Sequence, residues 1–326
     1  MARIFCVRLG AVVLILFAAS GVARAASRDA LQQRARQIFG LLPAEARNPA
    51  NPITDAKVEL GRLLYFDPRL SKSQQISCNT CHQLDRFGVD NQPTSLGHKG
   101  QRGARNSPSV YNAAFHVAQF WDGRAADVEE QAKGPVLNPV EMAMPDPDHV
   151  VAVLRSIPGY APLFATAFPE AQEPITYDNF ARAVGAFERK LTTPSRFDAF
   201  LGGKLDALSD AEAAGLAKFI ELGCPACHAG PTVGGLMLQR LGLVNAYETS
   251  DRGRFEATRK ERDKHLFKVP SLRNSAKRGP CFHDGGIQSL HEAIRLMAWH
   301  QLGRKLEPAD VASIAAFLSA LTGEPD

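Results

Sequence analysis

The sequence predicts a mainly α-helical chain built as two related domains, and three observations carry that expectation. A five-residue pattern, Cys-x-x-Cys-His, occurs twice, from Cys78 to His82 and from Cys224 to His228. A second repeat follows each copy: PSVYN (Pro108 to Asn112) matches PSLRN (Pro270 to Asn274), and FWDG (Phe120 to Gly123) matches FHDG (Phe282 to Gly285), all at one offset of 162 residues. The five-residue patterns are offset by 146, so the two halves share a plan but differ in the insertions between landmarks. Between the landmarks, apolar residues recur at helical spacing and few runs alternate as strands do.

The elements follow in chain order. Arg3 and Arg8 precede an apolar run from Leu9 to Ala19, and Ala23-Arg24-Ala25 forms a small-residue cleavage site, so residues 1–25 read as a signal peptide. The run is too short to span a bilayer and no later stretch is long enough, so the mature chain is expected to be exported to the periplasm with no membrane span. Glu59 to Phe66 begins a helix that leads into the first Cys-x-x-Cys-His. Phe87 to Pro108 and Gly134 to Pro147, rich in Gly, Pro and Asn, read as long loops, which in a helical chain are functional segments. Phe180, Val184, Phe187 and Leu191 form the stripe of a helix closing the first half.

Leu191 to Ser195 breaks the helical pattern and marks the boundary, giving an N-terminal domain at 26–193 and a C-terminal domain at 194–326. Ser209-x-x-Glu212 reads as a capping box, followed by Leu216, Phe219 and Ile220 on one face of a helix that runs into the second pattern. Pro308 starts the last helix, with Val311, Ile314, Leu318 and Leu321 on its apolar side and Gly323 ending it.

Cys-x-x-Cys-His is the attachment signature of a c-type haem: the thiols bond the porphyrin and the adjacent imidazole becomes an axial ligand of the iron. Two copies in an exported chain therefore imply two covalently bound c-type haems, on Cys78, Cys81 and His82 and on Cys224, Cys227 and His228. A zinc site would place its cysteine pairs about 15–20 residues apart, whereas Cys81 and Cys224 are 143 apart. A dithiol redox pair needs neither the histidine nor a second copy. Of the six cysteines, Cys6 lies in the leader, and Cys281 alone remains, so no intrachain disulfide is available. Cys281 is expected to be a buried, inert thiol.

The whole chain carries +4, but the leader holds three arginines and no acids, leaving +1. Four haem propionates move the holoprotein to the acidic side, so the charge gives no support to nucleic-acid binding.

Function turns on the remaining axial positions, because an iron with two strong protein ligands transfers electrons and one with an open face can react with peroxide. For the second haem the candidate is Met297, 69 residues after His228. For the first, Met142, Met144 and His98 are all candidates, and the residue types alone do not choose between them.

Taken in order, CNTCH, LGHKGQRGARNSPSVYNAAF, FWDGRA, NPVEM, CPACH, FKVPSLRN, CFHDGG and LMAWHQLGR make the chain resemble the bacterial di-haem cytochrome c peroxidases over nearly its whole mature length. The resemblance implies two cytochrome c-like helical domains with a haem in each and calcium between them. It implies that His82 is the proximal ligand of the peroxidatic haem in the N-terminal domain. His228 and Met297 then ligate the electron-transfer haem in the C-terminal domain. His98 matches a loop histidine that in many members caps the peroxidatic iron at rest. Glu141 and Gln131 match the distal acid–base residue and its polar neighbour, and Trp121 the aromatic residue between the haems. Asn106 matches the calcium side-chain ligand, with the carbonyls of Arg278 and Pro280.

The implied activity is reduction of hydrogen peroxide to water with electrons from a small c-type cytochrome or cupredoxin, in a homodimer. Two other readings remain open at this point: a di-haem electron carrier with Met142 or Met144 closing the first haem, and a di-haem enzyme that oxidises a partner protein. In the latter the second haem carries a distal tyrosine where this chain has Met297. The chain departs from the family pattern at Cys281, where an aromatic residue is common, and at Arg278, where the family has a smaller residue.

Overall fold

The computed structural model describes residues 27–325; the expected signal peptide at 1–25 lies outside them. The architecture is mainly α-helical, and its helices gather around two large apolar cores. Helix α1 covers 27–39. The first core is then built by α2 (Asp55–Phe66), α4 (Val128–Leu137), α5 (Pro147–Ser156), α6 (Tyr160–Ala167) and α7 (Tyr177–Glu188), with a one-turn helix α3 at Cys78–Cys81. The second is built by α8 (Arg196–Leu201), α9 (Asp210–Glu221), α11 (Leu290–Leu302) and α12 (Pro308–Ala320), with α10 (Phe255–Thr258) at its edge. A two-stranded antiparallel ribbon, β1 (Leu238–Arg240) with β2 (Leu266–Lys268), joins the second half. Among the described residues no single helix is long and apolar enough to cross a membrane.

Both halves rest on the same helix crossing. In the first, α2 packs along α7; in the second, α9 packs along α12. Each crossing is closed by a glycine: a Cβ on Gly61 would overlap the Ala183 carbonyl, and a Cβ on Gly215 would overlap the Ser313 carbonyl. Phe187 and Phe317 lie beside these glycines at equivalent places. Thr54 caps α2, Thr176 caps α7, and Ser209 with Glu212 forms the expected capping box of α9. These caps satisfy amides that would otherwise lack partners at the helix starts.

Four features depart from the sequence reading. Residues 27–39, expected in the first domain, pack in the second core. Ala35 and Phe39 are buried there, the Phe39 ring stands edge-on to Phe197 at 5.4 Å, and the Gln32 amide donates to the Leu201 carbonyl. The apolar stripe of α1 finds its partners far along the chain. Gly134 to Leu137 continue α4 despite the Gly-Pro pair, because Pro135 sits in the last turn and forfeits only one helical hydrogen bond. Gly323 does not end α12, which stops at Ala320. It pairs with Ser195 instead, and a Cβ there would meet the carbonyls of Thr193 and Pro194. The ribbon β1–β2 was not expected.

The 162-residue repeat survives in the backbone. Asn112 and Asn274 both take the left-handed conformation at φ +61°. Their side-chain amides both donate to the hydroxyl of the wholly buried Thr193, at 2.7 and 2.9 Å. Thr193 thus ties the two halves together inside the irregular segment expected at the boundary.

Asp198 on α8 and Arg273 in the PSLRN segment form a two-pronged ion pair at 2.7 and 2.6 Å, with Arg273 fully buried. Burial raises the Asp198 carboxyl, but Arg273 and the Ser195 amide and hydroxyl together hold it below the ordinary value. Removing one partner of a buried pair costs about 3–5 kcal/mol, so Asp198→Asn should lower the unfolding free energy by that order in a urea titration at pH 7. Because the folded pKa is depressed, this stabilisation is fully present above the unfolded value of about 3.9 and is lost as pH falls through the folded value. The wild type and Asp198→Asn should therefore converge in stability as the medium is acidified below about pH 4.

Candidate functional site

The second Cys-x-x-Cys-His leaves α9 through Gly223, whose φ of +87° turns the chain into the single turn Cys224–Ala226. Cys224, Cys227 and His228 line a cavity of about 380 Å³. Its walls are apolar, with Phe219, Leu241, Leu272 and Ile294 among them, and α11 brings Met297 to the same cavity. Burial drives the His228 imidazole down to about 4, although backbone groups of Val233 and Pro270 oppose the shift. The ring is therefore neutral at pH 7 and keeps a lone pair for a metal. Its Nδ1 is buried without a well-aligned hydrogen-bond acceptor. Gly234 makes this close fit possible, since a Cβ there would meet the Pro270 carbonyl and His228 Nδ1.

The first Cys-x-x-Cys-His is built by local hydrogen bonds. Ser77 and Thr80 form a reciprocal capping box around α3, and the His82 amide closes the turn on the Cys78 carbonyl at 3.0 Å. The Tyr65 hydroxyl of α2 donates to the His82 carbonyl at 2.6 Å. Burial lowers the His82 pKa, opposed by backbone groups of Gly88 and Pro108. Pro108 and Pro270 are partners in the 162-residue repeat, so the PS-x-x-N segments place equivalent carbonyls against the two histidines.

Both sites fit a covalently held haem better than a zinc ion or a redox dithiol. Burial pushes Cys78 up to about 12 and Cys81 and Cys224 to about 11, so free thiols here stay protonated rather than becoming thiolate ligands. Among the described residues no cluster of three His, Cys, Asp or Glu side chains could hold a metal ion. Two thiols, a neutral imidazole and, at the second site, a thioether facing an apolar cavity make the donor set that a c-type haem requires.

The loop after α4 brings Glu141 to the first site. Its charge is near enough to act on both Cys78 and Cys81. Burial raises the Glu141 carboxyl above the ordinary value, while Arg124 and a 2.9 Å hydrogen bond from the Asn138 amide pull it down. The His98 loop is laid on this same segment: the His98 amide donates to the Val140 and Glu141 carbonyls at 3.0 and 2.8 Å. Gly97 permits the approach, since a Cβ there would overlap the Val140 carbonyl. His98 Nδ1 is buried without a partner. Gln131 lies on α4, half-buried, two turns before Asn138. Met142 and Met144 are both buried in the first core. Asn138, which fixes the carboxylate, was missed in the sequence; its position three residues before Glu141 in NPVEM was the available signal.

Trp121 stands at the junction of the halves. Its indole donates to the Asn106 carbonyl at 2.8 Å, its own carbonyl accepts from the Lys268 amide at 2.7 Å, and it lines the second cavity. Its repeat partner His283 meets it edge-on at 6.4 Å. Asn106, Arg278 and Pro280 also line that cavity. The Asn106 amide nitrogen is turned to the carbonyls of Gln92 and Pro93, leaving its oxygen as a donor. An amide oxygen with the carbonyls of Arg278 and Pro280 is the hard, neutral oxygen set that calcium accepts, with other oxygens needed to complete its shell. Cys281 is half-buried and lines the cavity as well.

Residues 55–206 match the family model described as di-haem cytochrome c peroxidase. The chain is 45% identical over 306 residues to the cytochrome c551 peroxidase of Pseudomonas aeruginosa, covering 92% of this chain and 88% of that one. It is 45% identical over 290 residues to the cytochrome c551 peroxidase of Nitrosomonas europaea, covering 87% and 84%. Among solved structures, a MauG-like protein associated with microbial copper homeostasis superimposes with a TM-score of 0.77 at 29% identity, covering 87% of this chain and 94% of that one.

Proposed function

Because the chain belongs to the di-haem cytochrome c peroxidase family, we propose that it reduces hydrogen peroxide to water in the periplasm, with two electrons drawn singly from a small c-type cytochrome or cupredoxin. The observation that carries the reading is Glu141: a mostly buried carboxyl with a raised pKa, fixed by Asn138, beside the first Cys-x-x-Cys-His and under the His98 loop.

A c-type haem with an open face supplies peroxide binding and electron delivery, and one with two protein ligands supplies electron storage. The chain's own residues would do the rest. Cys78, Cys81 and His82 would hold the peroxidatic haem in the half built around the first core. Cys224, Cys227, His228 and Met297 would hold the electron-transfer haem in the domain assigned to 194–326. Glu141 accepts a proton from hydrogen peroxide and returns it to the oxygen that leaves as water, acting as base and then acid. Gln131 orients the peroxide and steadies developing charge. Trp121 bridges the two sites. Hydrogen peroxide, two protons and two electrons give two waters, so a second centre that stores one electron suits the chemistry.

His98 would cap the first iron at rest and leave with its loop on activation. Release of the His98 loop would be coupled to the redox state of the second site through the relative stability of the open and closed loop. Calcium at Asn106 and the Arg278 and Pro280 carbonyls would hold the junction, and a homodimer is the expected assembly. The burial of Met142 and Met144 favours peroxide reduction over simple electron transfer, since both side chains already pack in the first core.

Steady oxidation of reduced cytochrome c on adding peroxide tests the activity; no turnover before or after one-electron reduction would contradict it. Met297→Ala should abolish the methionine–iron charge-transfer band of the second haem and lower its potential, read by optical spectroscopy. An unchanged band would remove Met297 from the ligand set.

A further inference from the structure

We infer that Arg278 and Ser275, with the charge of Lys268 behind them, form a binding site for a carboxylate side arm of the haem held by Cys224, Cys227 and His228. The inference rests on the proposed haem at that site. Ser275 and Arg278 sit one turn apart and both line the second cavity. The Ser275 hydroxyl and the Arg278 Nε are buried and make no hydrogen bond, although both can donate. The Arg278 guanidinium donates to the Ser271 carbonyl at 2.5 Å. Its remaining donors belong to a guanidinium on a residue that lines the cavity.

Lys268 stands behind it on β2, only 5% exposed. Its ammonium meets His116 Nδ1 at 3.2 Å rather than a carboxylate. The nearby Asp122 is already engaged by Arg105 and Arg124 at 2.7 and 2.9 Å. Arg278 and Lys268 repel one another, and both act on the buried His116.

Neither cation has a carboxylate bonded to it, and a cation out of water without a bonded anion is destabilising. A fold that keeps them supplies the missing charge by other means, and the haem brings carboxylates into this cavity. A guanidinium offers paired donors that match a carboxylate, and the serine hydroxyl adds a third. His116 is the repeat partner of Arg278, so the first half has no second guanidinium at the equivalent place. The site would serve the second haem alone. A cation held against that haem favours its reduced form, which is the form needed to store an electron.

The test uses the full-length holoprotein, with two haems per chain verified first by pyridine haemochrome. A deficit already present in wild type would undo the haem assignment rather than this inference. Arg278→Met should shift the propionate bending band of the second haem in resonance Raman spectra and lower its midpoint potential, while Arg278→Lys should retain most of the potential. Lys268→Met should lower the potential in the same direction. Unmoved bands and potential in both methionine variants would overturn the site.

Should Arg278→Met fail to accumulate with two haems, Ser275→Ala and Arg278→Lys carry the same reading: a moved propionate band supports the site and an unmoved one overturns it. Adding chloride or phosphate to wild type in anion-poor buffer should leave band and potential unchanged. A saturable shift would mean that a free anion, not the haem carboxylate, occupies the cations.

Discussion

Glu141→Gln should lower kcat/KM for hydrogen peroxide by about 10²–10⁴-fold, the usual contribution of a positioned general acid–base group. The substitution keeps the shape of the side chain and the acceptor oxygen that Asn138 reaches, but removes the exchangeable proton. Haem content and the Met297 band should be unchanged, separating a chemical defect from a folding one. Burial raises the Glu141 carboxyl above the ordinary value, and the base must be ionised to act. The wild-type kcat/KM should therefore fall on the acid side at a pH above the ordinary carboxylate range, about 4.3 for glutamate. That limb should vanish in Glu141→Gln. A variant with wild-type kcat/KM would place proton transfer elsewhere.

Large stability effects should also come from the two crossing glycines. Gly61→Ala and Gly215→Ala each put a methyl group onto a backbone carbonyl of the facing helix, Ala183 and Ser313. A flexible side chain could move aside, but a carbonyl held in a helical ladder cannot, so the helices must separate. Overpacking of this kind costs about 1–3 kcal/mol and occasionally more; these sites belong at the upper end. Each helix pair also carries a Cys-x-x-Cys-His close to its end, so the separation should reduce haem retention in the same half. Gly103→Ala, where the nearest atom lies at 3.8 Å, should change stability by less than about 0.5 kcal/mol. Urea unfolding followed by circular dichroism separates the three, and equal stability in all would remove the crossings from the account.

Features written in short windows were legible in the sequence. Ser209 with Glu212, the stripe on α9, the Pro308 start and the break at Leu191 to Ser195 all stand where local chemistry put them. The repeat was legible as spacing, but its purpose was not: that Asn112 and Asn274 share Thr193 depends on a fold that brings three distant segments together. Gly134-Pro135 misled because a proline in the last helical turn loses little. Gly323 misled because a glycine demanded by close packing looks the same as one that ends a helix.

The placement of α1 on the second core could not be read from Ala35 and Phe39, since an apolar stripe does not name its partner. The same holds for the candidate site. Motif and resemblance pointed to Glu141, His98 and Trp121, whereas Asn138, Ser275, Lys268 and the Arg278 guanidinium emerge only when burial and unmet hydrogen bonds are known.

We propose unequal coordination: His228 and Met297 would close one iron, while the His98 loop would free a face of the other beside Glu141. Cyanide binding to the holoprotein after adding one electron per chain tests it most directly. One cyanide per chain, bound at the still-oxidised first haem while the low-spin ferrous spectrum of the reduced second haem is unchanged by cyanide, is the predicted result; none, or two, would contradict it.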